Sequence, residues 1–399
     1  MFERNLSALA STLLALALAV ASCTGDSGRG GTGPDAPDTV DAAEDGEVEV
    51  VATLGPLPLI VTDGDALRAT QEGDLLSLLT IDAGGTVCLS NPWNQDCVAR
   101  VRLLDLSDGS PVYSSTDAYA TSLPLLEDSI LFWTGADNRL RYHEVGGPGI
   151  EQPLSEDPDF WGIQGPVLVR DGGIHWYAYD YEHSTYAFHR YDLSSRSVTT
   201  LRTAQHDWPW FLSDLGAPLS PQFDVSDDQV VWLHYQAYGD TWHYRILRGT
   251  PGGEDIPTEL PTGDVNCLWP RLRGAWVYYV WYAQDEWECS QFQCFYHLAR
   301  IHLESGEVEQ LDDAQALVTG LHPPLLWEGG VGWIDYREGT YRVVLRPDGG
   351  EVVTVTPPER PVGLFSGVNL VPLDDGRLRV LWSTLFDGRL QIFAEDWEF

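Results

Sequence analysis

A short unit recurs along residues 46–399 and constrains the fold more tightly than any other feature of this sequence. Each copy opens on a Pro and passes an acidic or Gly turn into an apolar-apolar-aromatic run. A hairpin then leads into an apolar strand ending near Asp-Leu. Pro124, with Glu127, Asp128 and Trp133, begins one copy, and Pro166, with Asp171, Gly172 and Trp176, begins the next. Pro221 leads through Asp227 and Asp228 to Trp232, Pro270 through Gly274 to Tyr278, and Pro323 through Glu328 and Gly329 to Trp333. Looser copies surround Ser77 and Val380. The anchors are thus Ser77, Trp133, Trp176, Trp232, Tyr278, Trp333 and Val380, with third strands expected at 101–106, 188–193, 244–247, 298–303 and 341–345.

Helical periodicity is nearly absent, and short β-branched and aromatic runs alternate with Gly, Asp and Pro turns, which predicts an all-β fold. A unit of four short strands cannot bury both of its faces alone, whereas units stacked around an axis can. The expected architecture is a single β-propeller of seven four-stranded blades. Six or eight blades are the alternatives, because the first unit is irregular. The last unit stops after a third strand at 391–399, and 46–51 resembles the fourth strands at 306–309 and 350–353. An N-terminal strand at 46–51 is therefore expected to complete the C-terminal blade and remove its exposed edge.

On these repeats, over about 350 residues, the chain resembles the WD40-like and TolB-like propellers of bacterial envelope proteins. Classical WD40 motifs, kelch Gly pairs and sialidase Asp boxes are not evident in it.

Arg4 precedes a small-residue-rich apolar run at 6–21 that fits a secretory signal better than a spanning helix. Val20-Ala21-Ser22-Cys23 resembles the bacterial lipobox. That resemblance implies lipidation of Cys23 and anchoring in the cell envelope, with Thr24 favouring the outer membrane, on its periplasmic or surface side. Plain secretory cleavage near Ala21 is the alternative. Residues 23–45, rich in Gly, Asp and Pro, have the composition of a disordered tether. The expected organisation is a leader at 1–22, a tether at 23–45 and the propeller at 46–399.

Charge narrows the function classes. The chain carries 60 Asp and Glu against 23 basic residues, a formal charge of −37. Such a surface repels phosphate backbones and disfavours nucleic-acid binding. All the basic residues are Arg, and without Lys there is neither a Walker-type phosphate loop nor Schiff-base chemistry. The ten His lack metal-ligand spacing, so no metal centre is read. Calcium would suit the oxygen-rich composition, although no loop carries the EF-hand pattern. His175, His189 and His234 fall in strands and read as packed residues. Ser366, in Gly363-Leu364-Phe365-Ser366-Gly367, is misplaced for a nucleophile elbow.

Cys88 and Cys97 flank one insertion, and Cys289 and Cys294 flank another, each in a hairpin between second and third strands. An oxidising compartment would allow each pair to form a disulfide, worth on the order of 2–3 kcal/mol for so short a loop. Cys267 is left over as a buried thiol or an alternative partner.

In a propeller the second-to-third hairpins share one end with the connections that enter each blade. Here those segments are aromatic: Trp93, Tyr181, His183, Trp242 and Trp287 in hairpins, and His206, Trp208, Trp210, Trp269 and His322 in the incoming connections. Asp180, Asp240 and Asp285 lie among them. Rings beside carboxylates suit a sugar or a cationic group. The four in-register Trp anchors read instead as packing between blades. The sequence points first to a non-catalytic binding or scaffold module facing a glycan, peptide or protein. A carbohydrate-active propeller enzyme using face carboxylates, and an envelope assembly subunit, are the alternatives. No catalytic residue is identifiable.

Overall fold

Seven small antiparallel sheets stand in a ring, a seven-bladed β-propeller with no helix among the described residues. The computed structural model describes residues 48–50, 58–62, 65–81, 99–115, 118, 124–135, 140–147, 152–153, 168–170, 172–180, 185–205, 222–238, 241–253, 256–283, 296–312, 323–337, 339–362 and 367–399. The chain divides into two units, Met1–Asp45 and Gly46–Phe399, and all the described residues lie in the second.

Blade 1 comprises Asp65–Glu72, Leu75–Ile81, Ala99–Asp105 and Pro111–Ser114. Blade 2 comprises Leu125–Glu127, Ile130–Thr134, Leu140–Glu144 and Gln152–Pro153. Blade 3 runs through Leu168–Arg170, Gly173–Asp180, Thr185–Asp192 and Ser197–Gln205. Blade 4 uses Phe223–Val225, Val230–Tyr238, Thr241–Gly249 and Thr258–Glu259. Blade 5 has Val265–Arg273, Trp276–Ala283, His297–His302 and Val308–Gln310. Blade 6 has Leu325–Trp327, Gly330–Arg337, Thr340–Pro347 and Val353–Thr354. Blade 7 takes Val368–Pro372, Leu378–Phe386 and Arg389–Trp397 from the C-terminus. All seven sequence anchors fall in the second strand of their blades.

The closing strand differs from the expected one. Ile60–Thr62 pairs with Arg389–Trp397, with Ile60 opposite Ile392, and Val48–Val50 pairs outside it as a fifth strand. Burial explains the order. Leu59 and Ile60 enter an apolar cluster with Leu76, Leu78, Leu381 and Ile392, where blades 1 and 7 meet. A Val-Glu-Val run suits the outer edge.

Apolar burial between neighbouring blades builds the core. Trp133, Trp176, Trp232 and Trp333 are all buried. Trp133 packs with Leu79, Val101 and Leu103 of blade 1, and Trp176 with Phe132 and Leu140 of blade 2. Trp232 meets Phe188 of blade 3, the ring centroids 5.5 Å apart. The repeated Trp is thus the wedge each blade drives against the one before it.

A second repeated device ties the outer strand to the third. In blade 1 the Val101 N–H donates to Ser115 Oγ at 2.9 Å, and in blade 6 the Val343 N–H donates to Thr356 Oγ1 at 2.9 Å. In blade 5 the same place is held by a carboxylate, Asp312 Oδ1, which accepts the Leu298 N–H at 3.0 Å.

Candidate functional site

Antiparallel alternation fixes which connections share an end. The four-strand order is the same in all the blades. Every second-to-third hairpin and every passage to the next blade therefore leaves at one end, here called upper, and the remaining hairpins leave at the lower end. First strands of successive blades approach each other, for example Phe223–Val225 with Val265–Arg273, so they surround the axis.

At the lower end of the axis three blades are joined by one carboxylate. Asp224, buried in the first strand of blade 4, accepts Arg170 Nη1 from blade 3 at 2.8 Å and its neighbour's Val225 N–H at 2.8 Å on Oδ1. Its Oδ2 accepts the Leu272 N–H of blade 5 at 2.6 Å. Arg170 Nη2 reaches on to the Leu272 carbonyl at 2.6 Å. Arg271 donates to the Phe223 carbonyl at 3.2 Å, and burial pulls its pKa down to about 10. Both oxygens of Asp224 are thus satisfied, the condition for burying a charge at tolerable cost. This cluster holds blades together and leaves no free group for proton transfer.

Arg side chains make further inter-blade ties. Arg273 of blade 5 donates to the Trp327 carbonyl at 2.8 Å and to Asp348 Oδ1 at 2.7 Å, both in blade 6, and to Tyr278 Oη at 2.6 Å. A planar guanidinium with five donors can serve several acceptors at once, which an ammonium cannot match in geometry.

Towards the upper end of blade 5, His297 Nδ1 lies 2.8 Å from Asp312 Oδ2. The Asp312 side chain is 0 % exposed and that of His297 20 %. Burial raises the Asp312 pKa, and its hydrogen bonds from His297 and the Leu298 N–H oppose the rise. The Trp281 ring lies 4.6 Å from the imidazole, tilted by 30°. Spacing in the sequence does not reveal this pair, because 15 residues and an outer strand separate its members.

The candidate residues fare unequally. Trp93, Tyr181, His183, His206, Trp208, Trp210, Trp287 and His322 lie outside the described residues, as do Cys23, Cys88, Cys97, Cys289 and Cys294. Trp242 occupies the third strand of blade 4, opposite Ala237. Trp269 is corrected: it is 3 % exposed, within the apolar cluster of blades 4 and 5, and does not present its ring on the upper face. The pairing register shifts between Leu268 and Arg271, and Trp269 has φ +57°, an uncommon conformation for a bulky side chain. Its N–H is held by Gln222 Oε1 at 3.1 Å. Cys267 is a buried free thiol. His175 and His189 are buried, and His234 is half-buried.

Asp224, Asp312 and Asp335 are buried carboxylates on blades 4, 5 and 6. Asp224 and Asp312 are engaged as described, and Asp335 sits opposite Arg342 across its hairpin. Among the described residues no three His, Cys, Asp or Glu side chains converge as a metal site.

No protein-family model and no curated protein sequence matches the chain. Solved structures do. The β-propeller domain of the trilobed protease from Pyrococcus furiosus, described as having an open velcro topology, is similar over 84% of this chain and 97% of its own, with a TM-score of 0.58 at 9% identity. An oligogalacturonate lyase in complex with manganese is similar over 88% of this chain and 97% of its own, with a TM-score of 0.55 at 11% identity. At such identities the likeness carries the fold alone.

Proposed function

We propose that the chain is a non-catalytic binding propeller of a bacterial envelope, lipidated at Cys23 and related to the WD40-like and TolB-like repeats. It presents an aromatic, acidic upper face to a glycan. The observation that carries this reading is the division of labour within the ring. The in-register Trp residues are absorbed by packing, and Asp224 is absorbed by inter-blade ties. In the connections at the upper end, Trp208, Trp210 and Trp287 stand beside acidic residues in sequence. Aromatic faces suit the C–H surface of a sugar ring, and carboxylates suit its hydroxyls.

The glycan is neutral or cationic in this reading. A formal charge of −37 opposes an acidic chain such as the substrate named for the lyase. Screening the protein against immobilised neutral, amino and acidic glycans tests the proposal. Saturable binding confined to neutral or amino sugars supports it, and a response to none, or only to acidic ones, removes it.

A further inference from the structure

The latch between the outer and third strands needs one acceptor for one backbone N–H. Blades 1 and 6 supply it with the hydroxyls of Ser115 and Thr356. Blade 5 departs from the pattern with Asp312, whose second oxygen holds His297. A buried carboxylate is far costlier to desolvate than a hydroxyl, so the latch alone gives no reason for it. The residue before the latched position also changes. It is Arg100 in blade 1 and Arg342 in blade 6, but His297 in blade 5. A guanidinium only donates hydrogen bonds, whereas a neutral imidazole both donates and accepts.

With Asp312 ionised, Oδ2 can only accept, so the 2.8 Å bond puts the proton of a neutral imidazole on Nδ1 and leaves the lone pair on Nε2. Trp281 backs the ring and limits its rotation. Gln310 Nε2 also lies 3.5 Å from Nδ1, but at the outer limit of a hydrogen bond it competes poorly with Asp312 Oδ2 at 2.8 Å, and no contact holds Nε2 of His297 among the described residues.

We propose that His297 is a ligand-contacting residue towards the upper end of blade 5, oriented by Asp312 so that Nε2 accepts a hydrogen bond from a hydroxyl of a bound neutral sugar. The sugar rests on the function proposed above; the oriented lone pair does not, and the two parts fail separately.

The test uses the full chain. Long-range nitrogen–proton NMR spectra are expected to show His297 as the Nδ1–H tautomer. Diethyl pyrocarbonate is expected to acylate Nε2, with loss of ethyl carbonate, faster at His297 than at buried His175 and His189. Asp312→Thr restores the acceptor used in blade 6 and frees the ring. It should keep the melting temperature, mix the tautomers, and weaken binding of cellohexaose or chitohexaose by about tenfold, the loss of one hydrogen bond to a ligand. His297→Gln, which can still donate to Asp312, should weaken sugar binding equally if Asp312→Thr does not fold. An Nε2–H tautomer, or acylation no faster than at His175, overturns the oriented lone pair. Unchanged sugar affinity in both variants, or no sugar binding by the unaltered protein, overturns the ligand assignment.

Discussion

The side-chain amide of Gln391 pairs with the backbone of Thr62, 329 positions earlier, and so stands in for a strand residue where the ring closes. Its Oε1 accepts the Thr62 N–H at 2.9 Å, and its Nε2 donates to the Thr62 carbonyl at 3.2 Å. Beside it the Leu59 N–H donates to the Ile392 carbonyl at 2.8 Å. Both Thr62 and Gln391 are buried, so water cannot replace these bonds without opening the joint.

Replacing Gln391 with Ala should therefore destabilise the propeller, with each orphaned backbone group costing about 1–3 kcal/mol. Equilibrium denaturation in urea measures the loss. A midpoint equal to that of the unaltered protein would show that the Gln391 amide does not help to hold the joint.

This joint also shows how far the sequence could be read. Five of the seven anchors were legible because a Trp or Tyr recurs at one point of the second strand, where burial between blades takes a large apolar side chain, whereas Ser77 and Val380 were placed from the turns before them. The existence of an N-terminal closing strand was legible from the missing fourth strand. Its identity was not. Val48–Val50 and Ile60–Thr62 both read as β-branched segments, and the choice depends on Ile60 meeting Ile392 across the ring. Trp269 misled for a local reason, since a register shift and a positive φ break the alternation that assigns faces. The Arg170–Asp224–Leu272 cluster was invisible because it joins three neighbouring blades, and the His297–Asp312 pair because an outer strand separates its members.

Asp224 is the next point of leverage. Asp224→Ala would take the acceptor from the Val225 and Leu272 N–H groups and the counter-charge from Arg170, which keeps only carbonyl acceptors, and breaking a buried pair in this way costs about 3–5 kcal/mol. Arg170 is partly exposed, with 28 % of its side chain accessible, which places the expected loss at the lower end of that range. Calorimetry would record it as a fall in Tm, and an unchanged Tm would mean that the cluster does not hold the blades.

Acid should destabilise the protein through His175 and His189. Burial lowers the pKa of each from 6.5 to about 4 in the folded chain. Between those values the unfolded chain binds more protons than the folded one, so stability rises with pH across the window and is lost as pH falls through it. Denaturation profiles from pH 7 to about pH 4 should flatten in His175→Gln and His189→Gln relative to the unaltered protein. Parallel slopes would contradict the assignment.

Cys267 should be chemically silent while the chain is folded. Burial pushes its thiol up to about 12, and the thiolate is the reactive form. Iodoacetamide at neutral pH should label it only as the protein unfolds in denaturant. Rapid labelling of the native protein would show that blade 5 opens.

The binding role of the upper face is the claim on which the functional reading turns. Titration calorimetry with cellohexaose or chitohexaose, followed by mass spectrometry of the recovered sugar, addresses it most directly. Saturable binding that is lost in Trp208→Ala/Trp210→Ala, with the sugar returned intact and the Tm unchanged, is the result expected of a binding propeller. Shortened or unsaturated sugar products would contradict it and identify an enzyme.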